Sequence, residues 1–209
     1  MKTMIKKKLI YVTLFTLIFL LSRPATANIL PADTPMITNG ISVSYWGTIA
    51  DNAGYHLDIG CKLGFEKYFL QYKKFTIVGI ASLLLQRRPG VYTSAGLLLG
   101  MNTRWISISG IYLEHGITFG YLGSYYHFDI YKTNSNGQIV NIGRELTNTV
   151  IGGYSAGFGY DFSMLTKINF QLFVRPNMYM RFPNNDNVAY MNNFNIECGL
   201  IFHPKFLKL

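Results

Sequence analysis

YLEHGITFGYLGSYYHF, residues 112–128, is crowded with aromatic and aliphatic side chains, yet it is interrupted by Glu114 and three glycines. Successive side chains of a strand point to opposite faces, so the stretch from Ile111 to Tyr126 divides into two registers. Ile111, Leu113, His115, Ile117, Phe119, Tyr121, Gly123 and Tyr125 make a face that is mostly large and apolar. Tyr112, Glu114, Gly116, Thr118, Gly120, Leu122, Ser124 and Tyr126 make one that is mostly small or polar. Residues three and four apart mix the two classes, and each glycine would cost a helix interior about 1 kcal/mol. The period is therefore two. Water-facing strands carry Lys, Glu and Thr, whereas the small face here carries Gly, Ser and Thr, as a crowded interior does. The large face then needs a partner other than water.

The same period recurs along the chain in Gly40–Thr48, Tyr55–Phe69, Lys74–Gln86, Val91–Thr103, Ile111–Tyr131, Thr147–Phe162, Ile168–Phe182 and Ala189–Phe202. In the second of these, Leu57, Ile59, Cys61, Leu63 and Phe65 alternate with Asp58, Gly60, Lys62, Gly64 and Glu66. In the seventh, Leu172, Val174, Met178 and Met180 alternate with Gln171, Arg175, Asn177 and Arg181. Only Lys74–Gln86 and part of Val91–Thr103 are apolar on both registers, which leaves their facing open. A continuous apolar face backed by a small or charged one, over about ten residues per strand, is the pattern of a transmembrane β-barrel. Backbone groups in hydrocarbon must all be paired, so the sheet has to close. The expected fold is all-β, a closed antiparallel barrel of eight strands over residues 40–203, with a tail at 204–209.

Ahead of it stand MKTMIKKK, the apolar run Leu9–Leu21 and the small-residue site Ala25-Thr26-Ala27. These are the parts of a cleaved signal peptide, residues 1–27, and the run is shorter than the roughly 20 residues of a membrane-spanning helix. Residues 28–39 read as a periplasmic leader. The formal charge of +9 owes much to this amino terminus, where five of the 19 basic residues lie, and it gives no reason to expect nucleic-acid binding. Charged residues make up 14% of the chain against 15% aromatics, too few for a surface that meets water throughout. An even strand count puts both chain ends on one side, the periplasmic one, and leaves the long polar segment 132–146 as an external loop. Cys61 and Cys198 fall on the second and eighth strands, a strand apart, and are expected to be unpaired.

In layout the chain resembles the small eight-stranded outer-membrane barrels of the OmpA/OmpX type over residues 40–203. It is also similar to a group of small exported barrels of Gram-negative bacteria, on strands such as HLDIGCKLGFE, SAGFGYDF and FQLFVRPNMYMRFP. The resemblance implies an outer-membrane location, contact with outer-membrane lipid, and insertion by the barrel-assembly machinery; it implies no particular activity or protein partner.

An interior charge network is expected from Asp58, Lys62, Glu66, Glu114, Asp161, Arg175, Arg181 and Glu197, because an eight-stranded barrel is just wide enough for side chains to fill it. That makes a large pore improbable and a structural, adhesive or surface-interaction protein the leading reading. One alternative is a lipid A-modifying enzyme of deacylase or acyltransferase type, for which His127, Ser124 and Asp129 near a rim are the weak candidates for base, nucleophile and orienter. The His-x-Ser spacing associated with deacylases is absent. A second alternative is a soluble periplasmic binder of lipocalin type. Arg87 and Arg88, before Pro89-Gly90, read as an external turn whose guanidinium groups suit lipopolysaccharide phosphates. No motif calls for a cofactor or a metal.

Overall fold

The computed structural model describes residues 39–204, apart from 52–53, 73, 108, 134–135, 144–145, 165–168 and 183–190. The expected signal peptide, nearly all of the expected leader and most of the expected tail lie outside the described residues. Among the described residues ten strands form: β1 (Gly40–Asp51), β2 (Gly54–Tyr72), β3 (Phe75–Arg88), β4 (Tyr92–Ile106), β5 (Ile111–Tyr126), β6 (Ile130–Thr133), β7 (Ile139–Gly143), β8 (Leu146–Asp161), β9 (Phe170–Phe182) and β10 (Met191–Phe202). Eight of them close into a barrel in the order β1-β10-β9-β8-β5-β4-β3-β2, every pairing antiparallel, and β6 and β7 make a separate two-stranded ribbon. The first and last barrel strands pair from Ile41 opposite Phe202 to Asp51 opposite Asn193. Both chain ends therefore leave the barrel at one end, here the terminal end. The other is the loop end.

Outward rows are apolar on every barrel strand. Leu57, Ile59 and Leu63 on β2, Leu83 and Leu85 on β3, Leu113, Ile117 and Phe119 on β5, and Val150, Tyr154 and Phe158 on β8 are all exposed. Aromatic rings gather at the terminal end, where Phe162 stacks on Phe170 at 4.5 Å and Tyr160 meets Phe162 edge-on at 4.9 Å. Tyr121, Tyr125 and Tyr131 are exposed towards the loop end. Such belts mark the two water boundaries of a lipid-facing band. On the outer wall, Cys61, Tyr45 and Cys198 stand in one rung across β2, β1 and β10. Both cysteines are free and exposed.

The two strands with undecided facing turn inward on their even positions: Val78, Ile80, Ser82, Leu84 and Gln86 on β3, and Tyr92, Ser94, Leu98, Asn102 and Arg104 on β4, are buried. Small residues elsewhere on the inner wall make the room these side chains need. A Cβ on Gly159 would run into the ring of Tyr112 and the carbonyl of Leu172, the two groups joined by the 3.2 Å bond from the Tyr112 hydroxyl.

Two expectations need correction, and a third gains detail. The segment 132–146, expected as an external loop, holds most of the β6–β7 ribbon, in which Gly137 and Gly143 supply positive φ, and Asn141 Oδ1 accepts from the Gly143 amide at 2.7 Å. The fifth barrel strand ends at Tyr126, one bond after which the His127 amide still donates to the Val91 carbonyl at 2.9 Å, and residues 130–133 belong to the ribbon instead. Arg87 and Arg88 end β3 instead of forming a turn, paired with Thr93 and Tyr92.

Candidate functional site

Six charged side chains from five strands meet in the terminal half of the lumen. Arg104 on β4 lies at the centre, its Nη2 2.9 Å from Glu114 Oε2 and 3.2 Å from Glu66 Oε2. Its Nη1 donates to the Tyr68 hydroxyl at 2.7 Å and to Gln171 Oε1 at 3.0 Å. Arg175 on β9 donates through Nε to Glu114 Oε1 and lies 3.3 Å from Glu66 Oε1. Glu197 on β10 receives Lys62 Nζ at 2.7 Å and Ser44 Oγ at 2.8 Å on the same oxygen, Oε1. Three cations thus face three carboxylates. The guanidinium fork suits this task, since its five donors reach several acceptors from one plane. Asp161 sits at the edge, held by Gln171 Nε2 at 2.9 Å and by the Ser163 hydroxyl at 2.6 Å.

Above this cage the lumen is apolar. Trp46, Leu84, Leu98, Leu122, Ile151 and Tyr179 form a buried layer, with the rings of Trp46 and Tyr179 5.1 Å apart. Lys62 Nζ lies 5.0 Å from the Trp46 ring, so the ammonium is shared between the cage and the layer.

Towards the loop end a second polar group begins. Asp58 Oδ2 accepts from Gln86 Nε2 at 2.8 Å and from the Tyr92 hydroxyl at 2.6 Å, while Oδ1 takes Arg88 Nε at 2.6 Å. Arg88 Nη2 also reaches Asp51 at 2.9 Å. Arg181 Nη2 donates to Gln86 Oε1 at 3.0 Å. All eight residues expected in the interior are buried, but they divide between these two groups. Sequence reasoning left Arg104 one residue beyond the fourth expected strand and missed the neutral partners Gln86 and Tyr92, while Gln171 stood on the inward register without its partners being known.

Ion-paired and separated by an apolar layer, these groups fill the lumen and brace the barrel. A lipocalin-type binder reverses this plan, with a ligand cavity inside and a polar outside.

The three enzyme candidates do not converge. Ser124 Oγ is buried against Ser94 Oγ at 2.7 Å, His127 Nε2 pairs with Thr93 Oγ1 at 3.0 Å, and Asp129 accepts from Asn141 at 3.2 Å. A nucleophile needs its base within hydrogen-bond reach, and each of these is engaged elsewhere. Among the described residues no group of three or more His, Cys, Asp or Glu is arranged to hold a metal ion. Arg88 is committed to Asp51 and Asp58, whereas Arg87 points outward, exposed, in the row of Leu83 and Leu85.

A closed eight-stranded antiparallel barrel, apolar outside and charged inside, defines a small outer-membrane β-barrel. Three solved structures are similar in layout. Neisserial surface protein A matches over 79% of this chain and 96% of its own, at 6% identity and a TM-score of 0.45. Ail, the attachment invasion locus protein of Yersinia pestis, matches over 80% and 100%, at 10% identity and 0.41. The outer membrane enzyme PagL matches over 76% and 97%, at 13% identity and 0.44. No protein-family model matches the sequence, and no curated protein does.

Proposed function

We propose that the chain is exported by residues 1–27, inserted by the barrel-assembly machinery with both ends in the periplasm, and serves as a structural and surface-adhesive barrel. Its contacts would be made at the loop end. The observation that carries this reading is the β6–β7 ribbon, which exposes Tyr131 (63%) and Ile139 (75%) beyond the barrel strands. Apolar side chains held out on an ordered ribbon favour a contact role over a merely solvated loop. Arg87 supports lipopolysaccharide contact. It stands in an otherwise apolar outward row, and a guanidinium there can hold a phosphate through paired donors.

Heat-modifiable migration of protein extracted from the outer membrane tests the barrel and its location. An epitope inserted after Asn136 is expected to bind antibody on intact cells; binding only after lysis would reverse the orientation. Exchanging residues 129–145 for a short turn is expected to leave the barrel folded and lower the attachment of cells to surfaces. Unchanged attachment would remove the adhesive role. A lipid A mass spectrum that changes with expression would favour the enzyme reading instead. In proteoliposomes a lipid-soluble photoprobe is expected to label position 172 and spare 171.

A further inference from the structure

Two adjacent rungs of the inner wall concentrate polar atoms that lack a partner. Trp46 on β1 opposes Glu197 on β10, which opposes Arg175 on β9; one rung further, Thr48, Asn195 and Asn177 stand in line. Within this patch Glu197 Oε2, Asn177 Oδ1, Asn195 Oδ1 and Trp46 Nε1 make no hydrogen bond, although each residue is buried to within 2% of full enclosure. Elsewhere in the cages the carboxylates are bonded through both oxygens, as Glu114 and Asp58 are. Among the cage carboxylates the shortage is confined to Glu197.

Glu197 and Asn177 also line a small cavity of about 10 Å³, bounded further by Lys62, Asn102, Ser155 and Tyr179. That is room for one water molecule, and the polar lining meets the need of a buried water for two to four partners. Lys62 and Arg175 stand on the cavity wall, and the cage already balances three cations with three carboxylates, so an added cation would meet two positive neighbours with no net negative charge to hold it. The occupant has to be neutral and has to donate two hydrogen bonds.

We propose that the Asn177–Glu197 cavity is a built site for one internal water, which donates to Glu197 Oε2 and Asn177 Oδ1 and accepts from Lys62 Nζ. The bond to Lys62 uses an N–H beyond the one given to Glu197 Oε1. Through this molecule the charged cage extends to the rung of Asn177, directly beneath the apolar layer.

The test is a diffraction structure of the unaltered protein, extracted from membranes, at a resolution that resolves ordered water, with a parallel crystal soaked in rubidium chloride. A peak is expected between Asn177 and Glu197 at about 2.7–3.2 Å from both oxygens, without anomalous signal in the rubidium crystal. Anomalous signal at that position would make it a monovalent-cation site and overturn the proposal. So would an empty cavity, or an Asn177 amide turned so that its own N–H donates to Glu197 Oε2. In Asn177→Leu the peak is expected to be lost while heat-modifiable migration persists.

Discussion

The two halves of the lumen solve the same problem differently. In the terminal half, Arg104 and Arg175 are withdrawn from solvent and share Glu66 and Glu114 between them, with Tyr68 and Tyr112 packed alongside. In the loop half, Arg88 remains 19% exposed while it bridges Asp51 and Asp58. A charge without access to water depends wholly on its protein partners, whereas one at the rim trades a lost partner for hydration. The terminal cage is closed to water on both signs of charge, whereas the loop cage keeps one cation, Arg88, at the water.

The sharpest way to break this contrast is Glu114→Ala, which leaves two buried guanidinium groups short of a carboxylate. A loss of about 3–5 kcal/mol is expected, measured by unfolding in urea from lipid bilayers; a loss under about 1 kcal/mol would make the two cages equivalent. Leu98→Ala attacks the layer between them and is expected to cost about 2–5 kcal/mol. Because ionic cages close the lumen on both sides, the variant is expected to show no stable conductance in planar bilayers. Arg88→Gln is expected to cost less than Glu114→Ala, about 1–3 kcal/mol, because Asp58 keeps its bonds from Gln86 and Tyr92, with a deficit that shrinks at high salt. A salt-independent loss of several kcal/mol would show the loop cage to be as dry as the terminal one. The smallest effect is a coupling: Glu114 and Arg175 are expected to be non-additive by about 0.5–3 kcal/mol, and Glu114 and Arg88 additive to within about 0.5 kcal/mol.

Much of this division follows from parity. Lys62, Glu66, Glu114 and Arg175 stand on the small or polar register of their strands, so alternation alone assigns them to the inside. Arg104 obeys the same rule: it continues the inward series Tyr92, Ser94, Leu98 and Asn102. The expected strand stops at Thr103, one residue short, and continuing the parity one step further would have found it. Facing on β3 was not legible, because both its registers are apolar and the lumen takes Val78, Ile80 and Leu84 where the barrel needs filling. Partner choice was not legible either. Glu66 meets Arg104 across the lumen, a contact set by the stagger of strands that are not neighbours. Gln171 illustrates the difference. Its inward position is readable, but its simultaneous bonds to Arg104 and Asp161 are not, and they make it a less tolerant site than parity suggests. The β6–β7 ribbon escaped because IYKT and IVNIG are too short for alternation to stand out beside NSNG.

The rung of Cys61, Tyr45 and Cys198 turns the native chain into its own ruler. β1 is the strand whose seating joins the two ends of the sheet, and the thiols flank it at equal height on the outer wall. Two strand spacings put their Cα atoms about 10 Å apart once β1 is in place, beyond the range of a disulfide. Paired spin labels at these native cysteines, introduced without any mutation, would thus time the closing of the seam during insertion.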